Sequence, residues 1–386
     1  MINRREFIKS GTLAVAAVSV STSAFSSEHS LKTAITQEWR NKQSDMVYRQ
    51  LGRTGFMVSE IVNGGDPVTT KNYRQVERAM EKGLNYLDMA PAYGNGECER
   101  GYKLIIDSSS KREKVFMNTK VSGFTDVRDR MYREIFNGLP EGKKQAILKK
   151  AADIRYERGV DVPGYFLTYW TGQQKSMDPS YLSNAMMEDY GHKVDGSKEF
   201  KQYIHNSIHG SLERTGQKYF DILMCPHGAN SSEEVQIPEI YEAFDELKKE
   251  GLVRFLGVSS HNDPAGVLKA ATVSGKYDVV MCAYNVINGG YLADAIRAAK
   301  SAGVGVIGMK TAMAVATHHK DLLPLPQWRI DKVNRIVPGD MKAPMKAYVW
   351  SLQNPNISAV ISNLWDDKFV DENLSLAGMK VELQPG

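Results

Sequence analysis

Residues 253–309, VRFLGVSSHNDPAGVLKAATVSGKYDVVMCAYNVINGGYLADAIRAAKSAGVGVIGM, decide the fold. Three short apolar runs, at 253–259, 278–283 and 304–309, are separated by two amphipathic segments, 265–274 and 292–302, each closed by a glycine, Gly275 and Gly303. Apolar runs of this length without polar alternation read as parallel strands buried on both faces. A glycine just past an amphipathic segment reads as a helix C-cap, because it adopts a left-handed φ at no steric cost. The unit continues outward in both directions. Further runs at 58–63, 84–88, 115–121, 220–225 and 357–361 bring the strands to eight, and segments 73–82 and 237–250 end at Gly83 and Gly251. Eight such β-then-α units predict an α/β protein built as a closed (β/α)8 barrel.

One interval breaks the rhythm. Residues 122–199 separate the third strand from the helix before the fourth, too long for a connection. They contain a helical segment at 143–158 and an aromatic group, Tyr165-Phe166-Leu167-Thr168-Tyr169-Trp170, and so read as a folded insertion. Because the insertion follows a strand, it is expected on the C-terminal face of the barrel, where active sites form. The aromatic group suits either the small core of the insertion or stacking against a sugar ring. Ahead of the barrel, 46–62 reads as a hairpin around Gly52-Arg53-Thr54-Gly55 running into the first strand, and 25–45 as a polar linker.

The N-terminus is a separate signal. Asn3-Arg4-Arg5-Glu6-Phe7-Ile8-Lys9 precedes a weakly apolar stretch to Ala24, and the whole of 1–24 resembles a twin-arginine export signal. The apolar part is shorter than the roughly 20 residues a spanning helix needs, so the expected location is periplasmic, without a membrane span after processing. Of the +4 formal charge, part lies in this leader, and no basic run marks a nucleic-acid or anionic-membrane partner. Cys98, Cys225 and Cys282 are too few for a disulfide framework, and no cysteine or histidine spacing suggests a metal site.

Four ionisable side chains fall at or just past strand ends on one face: Asp88, Tyr93, Lys120 and His227. Interconverting a carbonyl and an alcohol needs a hydride at carbon and a proton at oxygen. A tyrosine with pKa near ~10 exchanges that proton reluctantly at neutral pH. An ammonium from Lys120 beside Tyr93 would stabilise the phenolate, Asp88 would hold Lys120 charged, and His227 would donate to the substrate oxygen. The other histidines read as ordinary turn or surface residues; His261, next to Ser260 at a strand end, is the one to watch.

The stretch 48–55 followed by Val58-Ser59, then Gly83 to Gly94, Thr119-Lys120-Val121, Asp221-Ile222-Leu223, Gly257-Val258-Ser259-Ser260, Tyr284-Asn285 and Glu372-Asn373, resembles the aldo-keto reductase family. The resemblance covers about residues 46–121 and 200–377. It implies that Tyr93 is the proton donor, that Lys120 and Asp88 tune it, and that His227 orients the carbonyl. It further implies an NAD or NADP cofactor, with Ser259 and Ser260 on the nicotinamide carboxamide and Glu372 and Asn373 on adenine. Met309 stands where many members stack an aromatic ring on nicotinamide, and Met281 where they place a glutamine. Asn363, between them and the adenine pair, completes the cofactor candidates with Lys310. Trp365 falls where an arginine commonly meets the 2′-phosphate, and Asp366 and Asp367 follow it, which disfavours NADP. Lys310 and Lys368 are the cations available to replace that arginine.

Three functions are compatible with these residues. The first is an exported oxidoreductase acting on a small carbonyl or alcohol, sugar-like by the aromatic group. The others are a cofactor-free saccharide-binding protein on the same fold, and a redox-neutral isomerase or lyase using a bound cofactor transiently.

Overall fold

The computed structural model describes residues 35–317 and 324–386; segment 1–24, expected from the sequence to be an export signal, lies outside them. Eight strands close a parallel barrel: β4 (Ile61–Asn63), β5 (Tyr86–Asp88), β6 (Phe116–Lys120), β7 (Phe220–Met224), β8 (Val253–Ser260), β9 (Val279–Ala283), β10 (Gly305–Met309) and β11 (Ala359–Ser362). Each pairs in parallel with its chain neighbour, and β11 returns to β4 through Val360 and Ile61. The eight apolar runs are these eight strands.

Alternation along the strands divides the apolar side chains into two clusters. Tyr86, Phe116, Ile222, Met224, Val279, Met281, Ile307 and Met309 fill the barrel interior. Leu87, Met117, Leu223, Val280 and Val306 belong to the shell between barrel and helices. The same period of two fixes the polar residues: Asp88 is in phase with Tyr86, and Asn118 and Lys120 with Phe116, so all three point inward.

Below the barrel lie β1 (Glu38–Trp39), β2 (Tyr48–Gln50) and β3 (Phe56–Ser59), ordered β1-β3-β2. Two details depart from the expectations. The run at 58–63 is not one strand: it divides at Glu60 between β3 and β4. Glu60 is buried, accepting from Arg49 Nε at 2.6 Å and from the Gly378 amide at 2.6 Å, so the break is fixed by a paired buried charge inside an apolar run. The expected linker 25–45 also contributes structure, since β1 pairs with Phe56 and Met57 and Arg40 reaches the buried Asp221 at 3.1 Å. Arg112 and Arg254 meet the same carboxylate at 2.8 and 2.7 Å, and Phe56 stacks on Phe116 with centroids 4.2 Å apart. The N-terminal end of the barrel is thereby floored. Gly52 permits this closeness: a Cβ there would stand 2.3 Å from the Gly305 amide.

The insertion folds as helices Phe124–Asn137, Glu141–Arg158 and Met177–Tyr190 on the opposite, C-terminal face. Its aromatic group is an extended strap laid on the barrel top. The Tyr165 hydroxyl donates to Asp263, and Tyr169 accepts from Asn285 Nδ2 at 2.9 Å. No helix among the described residues is long and apolar enough to cross a membrane.

Candidate active site

Asp88 and Lys120 are the last residues of β5 and β6 and project into the upper barrel layer. Lys120 Nζ donates to Asp88 Oδ1 at 2.5 Å, to the Met89 carbonyl at 3.1 Å and to the Tyr93 hydroxyl at 3.1 Å. Asn118 Nδ2 adds a bond of 2.6 Å to the same Asp88 oxygen. Burial pushes the Asp88 carboxyl up, against the pull of Lys120 and these hydrogen bonds. Tyr93 begins a short turn over β5, and its ring meets that of His227 edge to face at 5.7 Å. The four residues expected from the sequence do converge.

The Tyr93 phenol departs from expectation in one respect. Burial, and then the Asp88 and Asp66 carboxylates, push its pKa well above the ordinary value, whereas Lys120 was expected to lower it. The ammonium is shared with Asp88, so the resting phenol holds its proton.

His227 lies beyond β7, after the cis Cys225–Pro226 bond. Burial, then Lys120 and Lys310, lower its pKa well below 6.5, so the imidazole is neutral. Its Nδ1 is 2.8 Å from the Ser122 hydroxyl, whose oxygen already accepts from the Ala92 amide at 3.3 Å. With the Ser122 hydroxyl donating to Nδ1, the neutral ring carries its proton on Nε2, the tautomer in which His227 is a donor.

A cavity of about 900 Å³ opens over these residues. Tyr93 and His227 line it after β5 and β7, Met281, Met309 and Lys310 at β9 and β10, and Asn363, Trp365, Phe369 and Asn373 after β11. The insertion contributes Trp170 and Ser176, and the barrel His261, Asn230 and Asn262. This lining suits a dinucleotide: methionines for one flat ring, and the amides and aromatic faces after β11 for a second.

Five of the eight cofactor candidates therefore line the cavity: Met281, Met309, Lys310, Asn363 and Asn373. Ser259, Ser260 and Glu372 do not. The Ser259 hydroxyl accepts from the Gly228 amide at 2.9 Å and that of Ser260 donates to the Ala229 carbonyl at 2.8 Å, so both brace the loop after β7. Glu372 pairs outside with Lys342 at 2.6 Å. Asp366 caps the helix Asp367–Leu374, and Asp367 pairs with Arg78 at 3.2 Å, so both acids beside Trp365 are already engaged.

Residues absent from the sequence-derived site hold it together. Fully buried Arg128 lies against Asp129 and, at 3.8 Å, Glu234. Ser180 and Ser183 bond Asp129, and Thr125 and the Asn230 amide bond Glu234. This cluster joins insertion helices 124–137 and 177–190 to the loop below the cavity wall. Burial, with Asp129 nearby, pushes Glu234 up to about 7. Serine, arginine and acid positions of this kind carry no periodic signal.

A model of the Aldo/keto reductase family matches residues 62–321, more than half the chain. Among curated proteins, L-galactose dehydrogenase of Arabidopsis thaliana is 29% identical over 48% of this chain and 61% of its own length. An aldo-keto reductase of Fusarium vanettenii is 26% identical over 67% of this chain and 62% of its own length. An uncharacterized oxidoreductase of Bacillus subtilis is 26% identical over 55% of this chain and 48% of its own. The chain thus spans about half to three fifths of the curated relatives it matches. Among solved structures, an aldo-keto reductase of Bacillus halodurans in its holo form superposes with a TM-score of 0.57 at 18% identity, covering 87% of this chain and 92% of that one. That likeness concerns the fold.

Proposed function

Because the chain belongs to the aldo/keto reductase family, we propose that it is a nicotinamide-dependent oxidoreductase interconverting a carbonyl and an alcohol, with Tyr93 as the group that exchanges the proton. The observation that carries this reading is Lys120 Nζ standing 3.1 Å from the Tyr93 hydroxyl and 2.5 Å from Asp88, with a neutral His227 edge-on to the phenol.

The bound nicotinamide supplies or accepts the hydride; Met281 and Met309 would lie against its ring, and Asn363 and Asn373 toward the other end of the nucleotide. His227 Nε2–H holds the substrate oxygen. In reduction Tyr93 gives its proton to that oxygen, and the phenolate left behind is stabilised by Lys120. Asp88 keeps Lys120 charged and fixed between its three acceptors. The resting phenol, holding its proton, suits donation. The same groups run the reaction backward when the alcohol binds.

The finer assignments are also part of this proposal. NAD is preferred to NADP, supported by Trp365 lining the cavity in place of a cation. A sugar-like substrate is supported by Trp170 in the cavity and by the name L-galactose dehydrogenase borne by one relative. Export of the folded chain is supported by Arg4-Arg5 and the apolar stretch after them; replacing both arginines with lysine should hold the protein in the cytoplasm.

The primary test is denaturation of the purified protein and assay of the supernatant for nucleotide by mass, with titration of the refilled protein by NADH. Bound nucleotide, or quenching of NADH fluorescence with micromolar affinity, is expected. If no nucleotide is released and neither NADH nor NADPH binds, the oxidoreductase reading is wrong.

A further inference from the structure

Three side chains that the tetrad does not use meet on the insertion side of the cavity. Lys310 directly follows β10 and is one of three non-glycine residues at positive φ among those described, at φ +57°. Its Nζ lies 5.4 Å from the ring centroid of Trp170 and 5.9 Å from that of Tyr169. Trp170 in turn meets His261 edge to face at 5.0 Å. Lys310, Trp170 and His261 all line the cavity.

Lys310 has no ion-pair or hydrogen-bond partner among the described residues, although burial acts against its charge and Asp66 and Asp88 feel it only at a distance. A partly buried ammonium without a counter-ion is unfavourable, and a left-handed backbone on a lysine adds strain. Such costs persist where a site gains from them. His261 adds a second signal. Its Nδ1 is sealed from solvent and has no partner, so the nitrogen available to a ligand is Nε2. An unmet acceptor lone pair is tolerated more readily than a stranded N–H, which places the proton on Nε2, facing a ligand as a donor.

A cation, a neutral N–H donor and a flat indole together fit an anionic group attached to a ring. Two anions could enter this cavity: the diphosphate of the nucleotide and a carboxylate of the substrate. The position of Nζ favours the second, since it lies over Trp170 and Tyr169 of the insertion, on the side of the cavity where Trp170 also meets His261. We propose that Lys310, His261 and Trp170 form a substrate subsite for a carboxylate-bearing sugar ring, with Lys310 and His261 on the carboxylate and Trp170 against the ring face. This rests on the oxidoreductase reading for the bond that reacts, and not for the recognition itself.

The test uses glycosides that cannot react. Binding of the methyl β-glycosides of glucuronic and galacturonic acid is compared with that of the matching neutral glucoside and galactoside, by tryptophan fluorescence or calorimetry on the full chain, with and without saturating NADH. At least one uronide should bind tenfold or more tightly than its neutral partner. Lys310→Met should erase that difference, Lys310→Arg should retain part of it, and Trp170→Ala should weaken both partners alike. NADH affinity is measured in the same Lys310→Met variant, because Lys310 also lines the cavity beside Met309. Equal binding within both glycoside pairs would overturn the proposal. So would a Lys310→Met variant that keeps the uronide preference and loses NADH, because the lysine then serves the diphosphate. If NADH never binds while a lysine-dependent uronide preference is seen, the oxidoreductase reading falls and the subsite stands.

Discussion

Replacing Lys120 with methionine removes the ammonium and keeps most of the side-chain volume. The ammonium lies 3.1 Å from the Tyr93 oxygen. With an effective dielectric of about 20, a unit charge pair at that separation is worth about 5 kcal/mol. If about half the phenolate charge has developed when the proton is in flight, about 2.5 kcal/mol of that stabilisation acts in the transition state, or roughly a 100-fold effect on rate. The expected result is a fall in kcat for carbonyl reduction of about 100-fold, with the dissociation constant for NADH changed less than about threefold, since Lys120 points at Asp88, Met89 and Tyr93. The variant also leaves Asp88 buried beside the neutral Asn118 and Tyr93, where burial already pushes its pKa up, so it should take a proton. A Lys120→Met, Asp88→Asn double variant therefore recovers thermal stability but not rate. Stopped-flow reduction with limiting enzyme separates the chemical step from product release. A kcat within threefold of the parent, or NADH affinity lost in proportion to rate, would refute the role given to Lys120.

Three further expectations can be checked independently. His227 and His261 both have folded-state pKa values well below 6.5, so the unfolded chain binds more protons below that value; their contribution is complete above about pH 6.5 and is lost progressively as pH falls from there. Urea denaturation between pH 7.5 and 5 should show this decline, and His261→Asn should make it shallower; an unchanged slope would count against the neutral, buried imidazole. Glu234 behaves in the opposite sense: its folded pKa of about 7 exceeds the usual 4.5, so its contribution is present below about 4.5 and lost as pH rises through 7. Glu234→Gln should flatten stability across that window, and a profile parallel to the parent's would contradict the assignment. Finally, Trp365→Arg should strengthen NADPH binding by about tenfold, the scale of one charge-assisted bond, with little change for NADH. Unchanged NADPH affinity would place the 2′-hydroxyl end of the nucleotide elsewhere.

What could be read from the chain was governed by periodicity. The eight strands were legible because each lies in an apolar run closed in by glycine-capped helices, and the place of Asp88 and Lys120 at strand ends on one face followed from the same count. The break at Glu60 was not, since its pairing with Arg49 and Gly378 involves residues far apart in sequence. The hydroxyls of Ser259 and Ser260 stand in the expected place on β8 but bond backbone groups of the loop after β7, a loop whose path no local signal gives. The insertion was legible as folded matter, and its side of the barrel followed from the strand before it. The strap it lays over the barrel depends on Tyr165 meeting Asp263 and Tyr169 meeting Asn285, pairings across about a hundred residues that only the assembled barrel reveals. The elevated Tyr93 phenol was missed because its environment is set by burial and by Asp66 and Asp88 together, and not by the lysine alone.

The floor of the barrel has a kinetic corollary. With Phe56 stacked on Phe116 and three arginines gathered on Asp221, the N-terminal end offers reactants no passage. On the proposed function, nucleotide and substrate would therefore share the upper mouth, whose lining Trp170 of the insertion joins together with Tyr93. Whichever molecule lies deeper has to arrive first and depart last. A nucleotide whose ring rests on Met281 and Met309 is the deeper of the two. Steady-state kinetics should accordingly follow a compulsory order, with excess alcohol trapping the reduced nucleotide behind it and slowing its escape.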